Sequence, residues 1–154
     1  MTILALDPSG TTETGYFLFR SSQNWRIGTI WGKTAIEQGK NLDNLLKIEK
    51  VKIVVWETGV KLKMVWAQRD YRELLRLEGI IGWLTDINKL ASYSILNREV
   101  KLLIRYYDNE ITRLTVEGKQ WWFTNEPITI HQRDAVLVFY LYWVRKLKRP
   151  WPWG

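Results

Sequence analysis

Residues 2–10 read TILALDPSG, an apolar run that ends in an acidic residue and a Pro-Ser-Gly turn. A short apolar run bounded by turn residues predicts a buried strand over 2–6 with Asp7 at its carboxyl end. A second run of this kind, KIVVW at 52–56, is apolar on both faces and stops at Glu57. Strands that are apolar on both faces are typical of the centre of a parallel sheet. The two runs therefore predict neighbouring strands that each end in a carboxylate.

The rest of the chain completes an α/β pattern around these two strands. Aromatic, β-branched and alternating residues predict three more strands, at 14–20, 25–31 and 92–96. Helical spacing predicts four helices, at 35–48, 65–87, 97–106 and from 130 onward. Asn97 is the predicted cap of the third helix, and residues 107–126 fit no pattern. The predicted fold is a mixed sheet, with three antiparallel strands followed by parallel strands, flanked by helices.

The last predicted helix has the clearest boundaries. Thr129 and Gln132 have the spacing of a capping box, so the helix begins at about Ile130. Its residues 135–144 are apolar nearly all round, which indicates a buried helix. Residues 150–154, PWPWG, are expected to form a short tail that is ordered only if its Trp side chains dock. We therefore expect one domain over 1–149 and a tail over 150–154.

Composition narrows the class of function. The chain has 154 residues, with 23 Lys and Arg against 16 Asp and Glu, a net charge of +7. The absence of Cys and the presence of one His exclude a disulfide scaffold and a zinc ribbon. The positive charge favours a polyanionic partner, and nucleic acid is a commoner one than an anionic membrane.

We expect a soluble, cytoplasmic protein that does not enter a membrane. The start of the chain lacks the basic region of a signal peptide, and the apolar stretch at 135–144 is too short to cross a bilayer. The small size suits a bacterial protein, either phage-encoded or from a reduced genome.

Four residues are candidates for a metal-dependent active site. Asp7 and Glu57 emerge at one edge of the sheet if their strands are parallel neighbours, and this edge is where open α/β sheets bind ligands. Asp134 and His131 lie three residues apart in the last helix and share a face. Carboxylates at such an edge suit Mg²⁺. Two such ions can stabilise both the attacking and the leaving oxygen when a phosphodiester is hydrolysed. Three of the residues also have a structural interpretation: Asp7 as a turn former, Asp134 as a favourable charge in the first helical turn, and His131 as a helix-start residue. Glu57 has no such local role, because it ends a wholly apolar strand.

The candidate residues belong to motifs that resemble those of RuvC-type Holliday junction resolvases. The matching stretches run in the family's order from residue 2 to residue 145. They are ILALDPSG at 3–10 with TGY at 14–16, VVWE at 54–57, LRLEGII at 75–81 and HQRDA at 131–135. Two departures are Pro-Ser-Gly in place of Pro-Gly and a His at the fourth acidic position.

The resemblance implies an RNase H-like fold, a homodimer and nicking of four-way DNA junctions that depends on Mg²⁺ or Mn²⁺, with two ions per active site. It also implies that Asp7, Glu57, Asp134 and His131 are metal ligands, with His131 open to a second role as a general base. The implied products carry a 5′-phosphate and a 3′-hydroxyl. Other branched DNA, RNA–DNA hybrids, or a basic DNA-binding role without catalysis stay open as alternatives.

Basic and aromatic residues after Glu57 are the predicted contacts to DNA. Five of them can line the path of the backbone, namely Lys61, Lys63, Arg69, Arg72 and Arg76. Trp66 can stack on an unpaired base at the crossover. The alternatives are a solvated helix face for the basic residues and a core position for Trp66.

The ten Trp residues fall into two predicted groups. Those within predicted strands or helices are assigned to the core: Trp25, Trp31, Trp56, Trp83 and Trp143. The others are placed where DNA or a partner chain could meet them: Trp66, Trp121, Trp122, Trp151 and Trp153.

Overall fold

The structure is a computed structural model that describes residues 1–9, 11–58 and 68–154, without the side chains of residues 68–70. The predictions for Lys61, Lys63, Trp66 and the side chain of Arg69 therefore lie outside the described residues.

A five-stranded mixed sheet forms the centre of the molecule. Its strands are β1 (Ile3–Asp7), β2 (Glu13–Ser21), β3 (Asn24–Trp31), β4 (Ile53–Thr58) and β5 (Ala91–Leu96). Their order across the sheet is β3-β2-β1-β4-β5. The pairs β1–β2 and β2–β3 are antiparallel, whereas β1–β4 and β4–β5 are parallel. This arrangement confirms the predicted sheet.

Helices cover both faces of the sheet. They are α1 (Ala35–Ile48), α2 (Gln68–Ile87), α3 (Asn97–Ile104), α4 (Tyr107–Glu110) and α5 (Ile130–Tyr140). A π-helical stretch, Leu141–Lys146, continues α5.

Alternation along β1 divides the core between the two faces. Leu4 and Leu6 pack in one cluster with side chains of α1 and α2, such as Leu42 and Leu77. The neighbouring residues of β1 point the opposite way, into a cluster built around α5. Residues 135–142 are all buried there, as predicted for a helix that is apolar nearly all round.

The segment 107–126, which fitted no pattern, contains α4 and most of a second, three-stranded antiparallel sheet. Its strands are β6 (Leu114–Glu117), β7 (Gln120–Phe123) and β8 (Glu126–Ile128). Two-residue turns connect them, with positive φ at Gly118 in the first and at Thr124 and Asn125 in the second. Strands of three or four residues are too short to show a period-two pattern, so the turns were the only sequence signal.

Five of the Trp residues test the predicted grouping most directly. Trp31 and Trp83, assigned to the core, are 62% and 61% exposed, because each lies on the outer face of its element. Trp151, assigned to a partner-facing tail, is buried, and its Nε1 donates to the Thr112 carbonyl over 3.2 Å. Trp153 and Trp121 also pack against the main core. The tail side chains thus dock.

The other four described Trp residues are all half-buried. Trp25 and Trp143 pack against the cluster around α5, and Trp56 packs against the opposite cluster, in agreement with their core assignment. Trp122 is half-buried in β7.

Among the described residues, no helix has the length and apolar character to cross a membrane.

Candidate active site

Three carboxylates meet at one end of the main sheet. Asp7 is the last residue of β1, and Glu57 lies inside β4, one residue before its end. Asp134 is the fifth residue of α5, past the first turn, which removes the helix-dipole explanation of its position. One oxygen atom of each of the three carboxylates lies within 4.8 Å of the others. The structure thus brings together the three predicted acidic residues.

A glycine allows α5 to reach this end of the sheet. Gly15 in β2 pairs with Asp7 across the ladder. A Cβ atom at Gly15 would lie 2.3 Å from the backbone carbon and oxygen of His131. A residue with any side chain would therefore push the start of α5, with His131 and Asp134, away from β1. This contact explains the Gly of the Thr14-Gly15-Tyr16 motif.

A neighbouring side chain holds one oxygen of each carboxylate. His131 Nδ1 lies 2.7 Å from Asp7 Oδ2, and the Asn97 amide donates to Glu57 Oε1. Arg133 donates to Asp134 Oδ1 from Nε over 2.8 Å, and its Nη2 lies 2.8 Å from the same oxygen. The other oxygen of Glu57, Oε2, is buried and accepts no hydrogen bond from the residues that the structure describes.

Burial and mutual repulsion raise the pKa values at the site. Asp7 and Glu57 are each only 8% exposed. Burial and then the charge of Asp7 raise the pKa of Glu57 to about 8 and that of Asp134 to about 6. The hydrogen bond with Asp7 raises the pKa of His131 above its usual value.

A divalent cation fits this donor set. Hard ions such as Mg²⁺ and Mn²⁺ bind carboxylate oxygens, and three carboxylates converge here with one buried oxygen unpaired among the described residues. Such an ion would relieve the repulsion that raises the pKa values of Glu57 and Asp134. Asp7 and the other two carboxylates are the residues that would hold it, with His131 beside them.

The carboxylates line a cleft of about 510 Å³. One wall consists of side chains from α2, namely Tyr71, Leu74 and Glu78. The opposite wall comes from α3 and from the start of α5, and it includes Lys101 and Arg133. Burial raises the pKa of Glu78, a further acidic group in this wall, and a hydrogen bond with Thr58 opposes that rise.

The predicted DNA contacts that the structure describes, Arg72 and Arg76, lie on α2 but do not line the cleft. Arg72 is exposed. Arg76 is exposed as well, and its Nη1 lies 2.7 Å from Glu73 Oε1. Glu73 also accepts a hydrogen bond from the Ala35 backbone N–H over 2.8 Å, which ties this part of α2 to the start of α1.

Two residues of the site were not predicted from the sequence. Asn97 was assigned as a helix cap, but it is the first residue of α3 and its side chain turns to Glu57. The Glu99 carboxylate instead accepts from the Leu96 backbone N–H over 3.1 Å. Arg133 stood within the HQRDA motif, and nothing in the sequence indicated its contact with Asp134.

The order of the strands in the main sheet and the flanking helices form an RNase H-like α/β fold. Comparison with solved structures finds this fold in T. thermophilus RuvC in complex with Holliday junction substrate, with a TM-score of 0.62, 16% identity and coverage of 91% of this chain and 94% of that chain. A second Thermus thermophilus RuvC structure matches with a TM-score of 0.54, 14% identity and coverage of 91% and 95%. No family model matches the chain, and no curated protein matches it in sequence. The chain thus has the fold of RuvC.

Proposed function

We propose that the protein is a structure-selective endonuclease that resolves four-way (Holliday) DNA junctions by divalent-metal-dependent phosphodiester hydrolysis. The observation that carries the proposal is the convergence of Asp7, Glu57 and Asp134 in the cleft, with the buried Oε2 of Glu57 unpaired among the described residues. The fold shared with RuvC, which is known in complex with a Holliday junction, supports the choice of substrate.

The residues of the cleft divide the chemistry among them. Two Mg²⁺ or Mn²⁺ ions bound there would polarise the scissile phosphate and lower the pKa of the attacking water. The proposed products carry a 5′-phosphate and a 3′-hydroxyl. Asp7, whose charge raises the pKa of both other carboxylates, would hold the ions together with Glu57 and Asp134. His131, held by Asp7 through Nδ1, either completes the ligand set through Nε2 or moves a proton there.

DNA contacts and assembly complete the proposal. The proposed DNA contacts are the basic and aromatic residues that follow Glu57 in the chain, namely Lys61, Lys63, Trp66, Arg69, Arg72 and Arg76. The functional unit is proposed to be a homodimer, in which two clefts cut two strands of one junction. The proposed location is the cytoplasm of a bacterial cell.

Cleavage of a synthetic four-way junction tests the proposal. We expect wild-type protein to nick it in Mg²⁺ or Mn²⁺, and Asp7→Asn and Glu57→Gln to cut at least about 100-fold more slowly, because each loses a charged ligand. Both variants should still bind the junction. Asp108→Asn is the matched control, since Asp108 is exposed on α4 outside the cleft, and it should cut at the wild-type rate.

The same assay separates the alternatives. Faster cleavage of forks, flaps or RNA–DNA hybrids than of the junction would assign another RNase H-like nuclease activity. Binding without cleavage in either ion would leave a DNA-binding module. The Oε2 of Glu57, unpaired among the described residues, disfavours this last outcome, because a binding module gains nothing from a buried carboxylate oxygen without a partner.

A further inference from the structure

We infer that Arg133 is a positioning residue, which fixes Asp134 as a metal ligand and is itself fixed by Trp121 of the small second sheet. The inference rests on the proposed metal-dependent function of the cleft. It assigns the second sheet a role in the active site.

The contacts of Arg133 carry the inference. Its side chain is only 12% exposed. Two of its nitrogens, Nε and Nη2, each lie 2.8 Å from the same oxygen of Asp134. Its guanidinium carbon lies 4.7 Å from the centre of the Trp121 ring, and that ring meets Tyr107 edge-on with the ring centres 5.0 Å apart. Arg133 is therefore held from both sides.

Helix geometry alone does not produce this ion pair. Consecutive residues of a helix point about 100° apart and do not face each other. Arg133 and Asp134 nevertheless pair, and the guanidinium carbon of Arg133 also lies over the Trp121 ring. We attribute the direction of the Arg133 side chain to this cation–π contact with Trp121 in β7.

The pair leaves one oxygen of Asp134 for a metal ion. Both nitrogens of Arg133 contact Oδ1, which leaves Oδ2 of Asp134 without a contact to Arg133. Asn97 holds Glu57 by Oε1 in a comparable way, and the Oε2 of Glu57 is the buried atom without a partner among the described residues. Replacing a residue that hydrogen-bonds to a metal ligand typically lowers metal affinity about 10–100-fold.

Mn²⁺ affinity of the metal-free protein, measured by electron paramagnetic resonance without DNA, tests the inference. We expect Arg133→Ala to weaken Mn²⁺ binding about 10–100-fold. Arg133→Lys should recover part of the loss, because an ammonium keeps the charge without the two-donor geometry. Trp121→Phe should weaken binding by a smaller factor, because a smaller ring supports the guanidinium less well.

Arg149→Ala is the matched control. The Arg149 guanidinium lies 4.7 Å from the centre of the Trp143 ring, the same distance as in the Arg133–Trp121 pair, but outside the cleft. We expect Arg149→Ala to bind Mn²⁺ as the wild type does.

Three outcomes would overturn the inference: Mn²⁺ binding by Arg133→Ala within twofold of wild type, tighter binding by that variant, or an equal loss in Arg149→Ala. Circular dichroism in EDTA shows whether each variant folds. If Arg133→Ala does not fold, unchanged affinity in both Arg133→Lys and Trp121→Phe overturns the inference. If the wild type binds no Mn²⁺, the proposed function itself fails.

Discussion

At the scale of single residues, the cleft concentrates negative charge that the fold compensates only in part. One polar side chain contacts each carboxylate: His131 contacts Asp7, Asn97 contacts Glu57, and Arg133 contacts Asp134. Arg133 opposes the rise in the pKa of Asp134, yet burial and Asp7 still raise that pKa to about 6. A metal-free protein therefore stores repulsion at this site, which a bound cation would relieve.

This repulsion predicts how stability depends on pH. The pKa of Glu57 is about 8 in the folded protein against a usual 4.5, so the folded state holds its proton more tightly than the unfolded state. The stability that this proton provides is complete below about pH 4.5 and is lost as the pH rises through 8. Asp134 acts in the same direction through about pH 6. Glu57→Gln removes the contribution of Glu57 to this pH dependence. The side-chain oxygen of the Gln can still accept the hydrogen bond from the Asn97 amide.

Thermal unfolding in EDTA measures this effect. We expect Glu57→Gln to melt several °C above wild type at pH 9 and close to wild type at pH 5, since 1 kcal/mol shifts Tm by about 2–4 °C in a domain of this size. Glu117→Gln, at an exposed carboxylate of the second sheet, is the control and should show no such gain. A Glu57→Gln difference that is the same at both pH values would contradict the assignment.

At the scale of elements, the exposed face of α2 has two halves that differ in chemistry. At 100° per residue, Arg72 and Arg76 lie on the same face as Trp83 and Ile87. The first pair is basic, and the second pair is exposed and apolar. Between the pairs lie two glycines, at 79 and 82, and a Cβ atom added at either would meet no other described atom within 4 Å, so another helix can approach closely there. We propose that the first half contacts DNA and that the second half forms the contact of the proposed dimer.

The dimer assignment predicts the effect of a charge on this face. Trp83→Arg should convert a dimer into a monomer, because burying an unpaired guanidinium at an apolar contact costs several kcal/mol. Sedimentation equilibrium measures the mass of each variant. Ile48→Arg is the control, since Ile48 is 75% exposed at the end of α1, and it should leave the mass unchanged. A wild-type monomer, or a dimer that survives Trp83→Arg, would rule out this surface.

At the scale of the whole molecule, the chain end closes the core. Trp151 and Trp153 pack against aromatic residues of β2, β7 and α5, with Phe123 in contact with both rings. Hydrogen bonds link both residues to Thr112, just before the second sheet. The main sheet, the second sheet and the last helix therefore share one aromatic cluster.

This packing predicts a large cost for removing one ring. Trp151→Ala should lower the free energy of unfolding by about 3–5 kcal/mol, as is usual for a buried Trp. Trp31→Ala is the control, because Trp31 is mostly exposed, and it should cost about 1 kcal/mol or less. Urea denaturation followed by circular dichroism gives both values. Equal losses in the two variants would show that the docked chain end contributes little to stability.

The sequence by itself determined the main sheet, most of its helices and the positions of the acidic residues. Strands buried on both faces and the capping box at Thr129 are local patterns, so they are visible without coordinates. The sequence also placed Asp7 and Glu57 at one edge, because parallel neighbours end together. It did not show the second sheet, whose short strands carry no periodicity.

Only the tertiary structure decided which side chains serve the carboxylates. Asn97 reaches Glu57 and His131 reaches Asp7 across 40 and 124 residues of chain, and no local pattern encodes such a contact. It also decided the fate of the Trp residues, since Trp83 and Trp151 differ in burial through the packing of other elements against them. Local propensity and periodicity fix the elements, whereas burial and side-chain contact depend on how distant elements pack.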